Sequence, residues 1–260
     1  MDAAYLCAGA LTGFLIGLTG VGGGALMTPL LLLVFGVAPV TAVATDLWFA
    51  AITKGVAASV HRRHAEGDWP VVRRLWLGSL PVTLAVVAVM SMGAQTTKAA
   101  WLTQVIGLMV CLAALGMLLG PWWLQRQATA RSVAKARAPR CWQAAMTVLA
   151  GAGIGGAVAL TSVGAGTLGT VLLMALYPMR LSAQRLVMTD LVHAIPLALA
   201  AGLGYASSGL VDWRLLGLLL LGSLPFAVIG SLLAGRLKPR LLQLALAAVL
   251  LLAGSKAVMA

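Results

Sequence analysis

Four short signatures occur twice in this chain, in the same order and at nearly one spacing. Thr19-Gly20-Val21-Gly22-Gly23-Gly24 returns as Thr161-Ser162-Val163-Gly164-Ala165-Gly166, 142 residues later. Thr45-Asp46-Leu47 returns as Thr189-Asp190-Leu191, Asp68-Trp69 as Asp212-Trp213, and Leu77-Gly78-Ser79-Leu80-Pro81 as Leu221-Gly222-Ser223-Leu224-Pro225, each 144 residues later. Units this long are not solenoid repeats. The chain therefore reads as two related halves, residues 1–120 and 142–260, joined by a basic linker over 121–141.

Between the signatures the sequence is apolar. Hydrophobic residues make up 61% of the chain and charged residues 9%, against roughly 25% charged in soluble domains. Such a chain belongs in a lipid bilayer. Runs over about 3–18 and 25–36 flank the first glycine-rich signature. The second of these is shorter than the about 20 helical residues that cross hydrocarbon. The pair reads as a helical hairpin turning at a glycine-rich tip, either crossing fully or re-entering. Longer runs follow over about 40–62, 71–93 and 99–120. Met1-Asp2-Ala3-Ala4 lacks the positive start of a cleavable signal, so the first run is expected to stay. Cys7, Cys111 and Cys141 show no metal-binding or redox spacing. No metal site, cofactor or catalytic constellation is expected.

The net charge of +12 would suit nucleic acid, but its distribution points to membrane topology instead. Counting each hairpin as two segments gives five per half. An odd number brings the second half in from the opposite face, an inverted repeat. Fourteen of the 18 lysines and arginines then fall on one side, among them Arg62, Arg73, Arg185, Arg236 and the linker residues. Three, Lys98, Arg214 and Lys256, fall on the other, and Lys54 lies within a span. Treating each hairpin as one broken crossing gives eleven against six. The positive-inside rule favours the first arrangement. The expected fold is an all-α polytopic membrane protein of two inverted-topology repeats, each a hairpin with a glycine-rich tip plus three transmembrane helices. The linker is expected in the cytoplasm and both termini outside.

Two of the six acidic residues, Asp46 and Asp190, fall inside apolar runs, and they are repeat mates. A carboxylate in a bilayer is costly unless it is paired or faces a cavity. Each is a candidate gate or proton carrier together with its neighbour, Thr45 or Thr189; Thr-Asp is also a helix-capping signature. Lys54 lies about 80° around a helix from Asp46. It is either a site cation or a side chain snorkelling to the nearby basic loop. His193 follows Asp190 by three residues, close enough for an intrahelical contact; otherwise it is a satisfied structural histidine. The glycine-rich tips are the candidate substrate-binding elements. A helix that starts after such a tip has unpaired amides and a dipole that favours an anion. Thr19, Gly20, Val21, Gly22, Gly23 and Gly24 would face Thr161, Ser162, Val163, Gly164, Ala165 and Gly166. The alternative is that the glycines only allow close helix packing.

Gly13-Phe14-Leu15-Ile16-Gly17-Leu18 leading into the first tip, then Pro29 and Ala44-Thr45-Asp46, resembles the TauE/SafE sulfite exporter family of the 4-toluene sulfonate uptake permease (TSUP) superfamily. Gly155 through Gly166, followed by Thr189-Asp190-Leu191-Val192-His193-Ala194, matches the second half of that pattern. The resemblance covers nearly the whole chain, with Ser162 standing for Gly20 and Ala165 for Gly23. It implies a bacterial cytoplasmic (inner) membrane transporter of sulfur-containing anions such as sulfite or an organosulfonate like sulfoacetate, in which the termini placed outside by charge would be periplasmic. It does not imply an enzyme, and it admits a homodimer. Export is the expected direction, by alternating access with the option of proton coupling. A cation carrier or channel built on the aspartates is the competing expectation. A reporter fused to either terminus is expected outside the cytoplasm; a cytoplasmic signal from either fusion overturns this topology.

Overall fold

The structure is a computed structural model that describes residues 2–19, 24–61, 67–93, 100–131, 140–177, 183–233, 247–248 and 250–257. Among these residues it is all helical. The order is α1 (Asp2–Thr19), α2 (Gly24–Leu33), α3 (Pro39–His61), α4 (Trp69–Gly93), α5 (Ala100–Arg131), α6 (Arg140–Thr161), α7 (Thr167–Leu176), α8 (Ala183–Ser207) and α9 (Trp213–Leu233). Residues 250–257 are also helical. Five helices, α3, α4, α6, α8 and α9, contain stretches long and apolar enough to cross a membrane. By contrast α2 and α7 have 10 residues each, about 15 Å, half of a hydrocarbon core of about 30 Å. These are the short arms expected after the two glycine-rich tips. Of the first tip, Gly20, Val21, Gly22 and Gly23 lie outside the described residues.

One boundary differs from expectation. The helix expected over about 99–120 continues as α5 to Arg131, through the first half of the stretch read as linker. Gln125, Arg126, Gln127, Ala128 and Ala130 are good helix formers, and basic residues near a helix C-terminus complement its dipole. Charge alone did not end the helix.

The two most extensive helix contacts are α1 with α9 and α4 with α6. Each joins the first helix of one half to the third long helix of the other. Both are made at glycines, where backbones meet directly. A Cβ added at Gly9 or Gly13 would strike the Leu219 or Ser223 carbonyl. At Gly151 it would lie 2.5 Å from the Leu75 carbonyl, and at Gly155 it would strike that of Ser79. These contacts are repeat mates with the halves exchanged. Lipid offers no hydrophobic drive between helices, so small residues that bring backbones together supply the packing. Gly222 on Leu6 and Gly78 on Val148 form a further exchanged pair.

The remaining signatures explain themselves in the same way. The carboxylates of Asp68 and Asp212 accept from Val71 N (3.4 Å) and Leu215 N (2.9 Å), so each caps its helix. The amide of Asp68 donates to Thr189 Oγ1 (2.9 Å), and that of Asp212 to Thr45 Oγ1 (3.2 Å). Each Thr of the Thr-Asp pairs thus clamps the start of a helix in the other half. Outward apolar residues follow the same exchange: Leu77 and Leu221 are 69% and 70% exposed, on faces that meet lipid in a multi-pass membrane protein. The inner helices are α3 and α8, the most buried of the long ones. Gly155→Val is expected to lower the stability of detergent-solubilised protein by about 1–3 kcal/mol. Gly153→Ala, where an added Cβ meets nothing within 4 Å, is expected to leave it unchanged, with thermal unfolding as the check.

Candidate functional site

The second tip is fully described. Its α6 arm ends at Thr161, whose Oγ1 donates to Ala157 O (2.6 Å) and accepts from Val163 N (3.1 Å). That hydroxyl is therefore committed to the turn. Ser162 follows with φ 57°, then Gly164 and Gly166 with φ 125° and 123°. Glycine tolerates such angles. Serine does not, since a left-handed L-residue costs about 1–2 kcal/mol. The first tip has Gly20 at the position of Ser162. The Thr170 hydroxyl donates back to Gly166 O.

Two inner helices hold this tip. Gly166 N donates to Asp190 Oδ1 of α8 (3.1 Å). Lys54 Nζ of α3 donates to Ala165 O (2.9 Å). At the other end of the tip the Ser162 hydroxyl lies beside the Asp46 carboxyl. Asp46 and Lys54 are eight residues apart on α3, about 12 Å along its axis. The tip spans between them, with Asp46 and Ser162 at one level and Lys54, Ala165, Gly166 and Asp190 at the other. Lys54 lies within electrostatic reach of both Asp190 and Asp46.

Asp46, Lys54, Asp190 and His193 are all buried. Thr28 Oγ1 donates to Asp46 Oδ2 (2.5 Å). His193 Nε2 lies 3.0 Å from Ser79 Oγ on α4, so its partner is on a neighbouring helix rather than at Asp190. Asp46 Oδ1, Asp190 Oδ2, Ser162 Oγ and His193 Nδ1 are buried without a hydrogen-bond partner. Buried polar groups are normally satisfied. Here four unsatisfied atoms belong to side chains at or near the second tip. Among the described residues no three His, Cys, Asp or Glu side chains come together as a metal site.

The structure thus groups Ser162, Ala165, Gly166, Asp46, Lys54 and Asp190. It turns Thr45 and Thr189 to helix-clamping bonds and Thr161 to the turn of its own tip. Thr19 and Gly24 are the helix ends flanking the first tip, whose other residues lie outside the description. Two side chains were not singled out from the sequence: Thr28, which holds Asp46, and Ser79, which meets His193. Both left a trace, because Thr28 is the repeat mate of Thr170 and Ser79 belongs to a duplicated signature.

Charged side chains on inner helices, beside a broken helix in an apolar bundle, give a multi-pass membrane protein a polar centre. Residues 5–257 match the family described as Sulfite exporter TauE/SafE, and the chain belongs to that family, whose members are transporters rather than enzymes. It is similar to the "Probable membrane transporter protein YjnA" of Bacillus subtilis (strain 168), 35% identical over 265 residues that span 98% of this chain and 99% of the relative. No solved structure gives a significant match.

Ser162 combines a strained backbone with an unpartnered hydroxyl, so its removal is expected to relieve rather than weaken the fold. Ser162→Gly should leave stability unchanged or raise it by up to about 1 kcal/mol. A drop in melting temperature would mean that the hydroxyl is structural.

Proposed function

We propose that the protein is a secondary transporter of a small sulfur-containing oxyanion, sulfite or an organosulfonate such as sulfoacetate, and that it exports it across the bacterial cytoplasmic membrane. The family's description supports the substrate class. The observation that carries the binding site is Ser162, a buried hydroxyl without a partner, held on left-handed backbone where the other half has glycine. Strain of this kind persists where function requires it. Its hydroxyl and the Lys54 ammonium are the donors that would receive the anion's oxygens. Thr19 through Gly24 would close the site from the other half.

Residues 1–120 and 142–260 act as the two rocking units, with the linker cytoplasmic and both termini periplasmic. The exchanged contacts of α1 with α9 and of α4 with α6 support an inverted pair, since each half carries part of the other. Asp46 and Asp190 gate the site and carry protons. An anion entering beside two carboxylates raises the local negative charge, and a proton entering with it restores the balance in a region that tolerates little net charge. Thr45 and Thr189 hold the two aspartate segments in register.

A second reading, a cation carrier, is favoured by the free carboxylate oxygens Asp46 Oδ1 and Asp190 Oδ2. Titration of purified protein with sulfite, sulfoacetate and metal cations separates the two. Binding of a sulfur anion, weakened about 10-fold or more in Ser162→Gly and Lys54→Gln, supports the anion reading. Binding of a metal cation alone overturns it. In proteoliposomes a pH gradient is expected to drive sulfite movement, and Asp46→Asn and Asp190→Asn are expected to uncouple it. Transport indifferent to the gradient and to both substitutions removes the proton role.

A further inference from the structure

The centre around the second tip holds three charged side chains, Asp46, Lys54 and Asp190, which are 0%, 3% and 1% exposed. Among the described residues Lys54 is the one buried lysine or arginine, in a chain that has 18. The duplication supplies no second cation. The repeat mate of Lys54 is Ala198, which is also buried. Of the three ammonium donors, one is engaged with Ala165 O. His193 lies within the field of Lys54 and is engaged with Ser79; its ring adds no fixed charge. Ser162 adds an uncharged hydroxyl.

We infer that this centre sorts anions by charge, accepting singly charged sulfur oxyanions such as hydrogen sulfite or an alkanesulfonate and rejecting doubly charged ones of the same shape. This rests on the anion-transporter reading and narrows its substrate class. The two carboxylates outnumber the one ammonium, so every negative charge on a ligand is repelled on balance, and a dianion meets about twice the repulsion of a monoanion where water and salt screen little. Lys54 keeps two ammonium hydrogens beyond the one on Ala165 O for a ligand's oxygens.

The test compares binding of methanesulfonate and sulfate, which share a tetrahedral sulfur head but carry one and two charges. Purified full-length protein is titrated at one fixed pH, as wild type, Asp190→Asn and Asp46→Asn. Sulfate sheds more hydration on entry, but that cost is common to every variant, so the change in the affinity ratio reports the site. Wild type is expected to favour methanesulfonate by on the order of 100-fold. Each substitution removes one negative charge and keeps an oxygen for Gly166 N or Thr28. Each is expected to move the ratio toward sulfate by about 10-fold, Asp190→Asn further than Asp46→Asn because Asp190 and Lys54 hold adjacent residues of the tip, Gly166 and Ala165. The two substitutions lie on different helices, so either one alone reads the ratio if the other fails to fold. A wild type that binds sulfate as well as methanesulfonate, or a ratio that neither substitution moves, overturns the charge filter and leaves anion transport standing. A wild type that binds neither anion but binds a metal cation overturns both.

Discussion

A helix broken inside a bilayer leaves peptide groups with no water to satisfy them, and the closure of that deficit at the second tip organises the centre of this protein. Gly166 N is taken by the Asp190 carboxylate, Ala165 O by the Lys54 ammonium, and Val163 N by the Thr161 hydroxyl. Two of these partners are charged. Burying them is tolerable because each holds the tip's backbone, at adjacent residues. The inner helices α3 and α8 deliver them. The same groups that let the chain break therefore also form the polar centre.

The two halves share an architecture but not a chemistry. The helix caps of Asp68 and Asp212, the clamps of Thr45 and Thr189, and the glycine crossings all occur twice with the halves exchanged. The polar centre does not. Lys54 has Ala198 as its mate, His193 has Phe49, and Ser162 has Gly20. The second tip receives its cation from the first half, so neither half forms the polar centre alone.

Much of this was legible in the residues. Run lengths and tip positions located the helices, because a bilayer demands continuous apolar helix and only glycine-rich sequence breaks it. Asp46 and Asp190 stood out because a carboxylate in an apolar run needs a reason. The end of α5 was misjudged, since helix propensity in Gln125–Ala130 outlasts the hydrophobic signal. The roles of the signatures were hidden for a different reason. Thr45 and Thr189 resembled parts of a gate, yet their hydroxyls receive amides from residues more than a hundred positions away in sequence. Thr28 and Ser79 carry no chemical label until a partner helix is set beside them.

By itself the sequence determined a membrane bundle of two duplicated halves, a likeness to one family and a short set of buried ionisable residues. Those follow from composition, period and spacing, which are local properties of a chain in lipid. The tertiary structure alone decided that Lys54 serves the tip of the other half and that His193 turns to Ser79 rather than Asp190. It also decided that Thr28 holds Asp46, while Thr45 and Thr189 turn to clamp helices. Such pairings depend on how close two backbones can approach. Glycines far apart in the sequence set that distance, through contacts that only the assembled bundle makes.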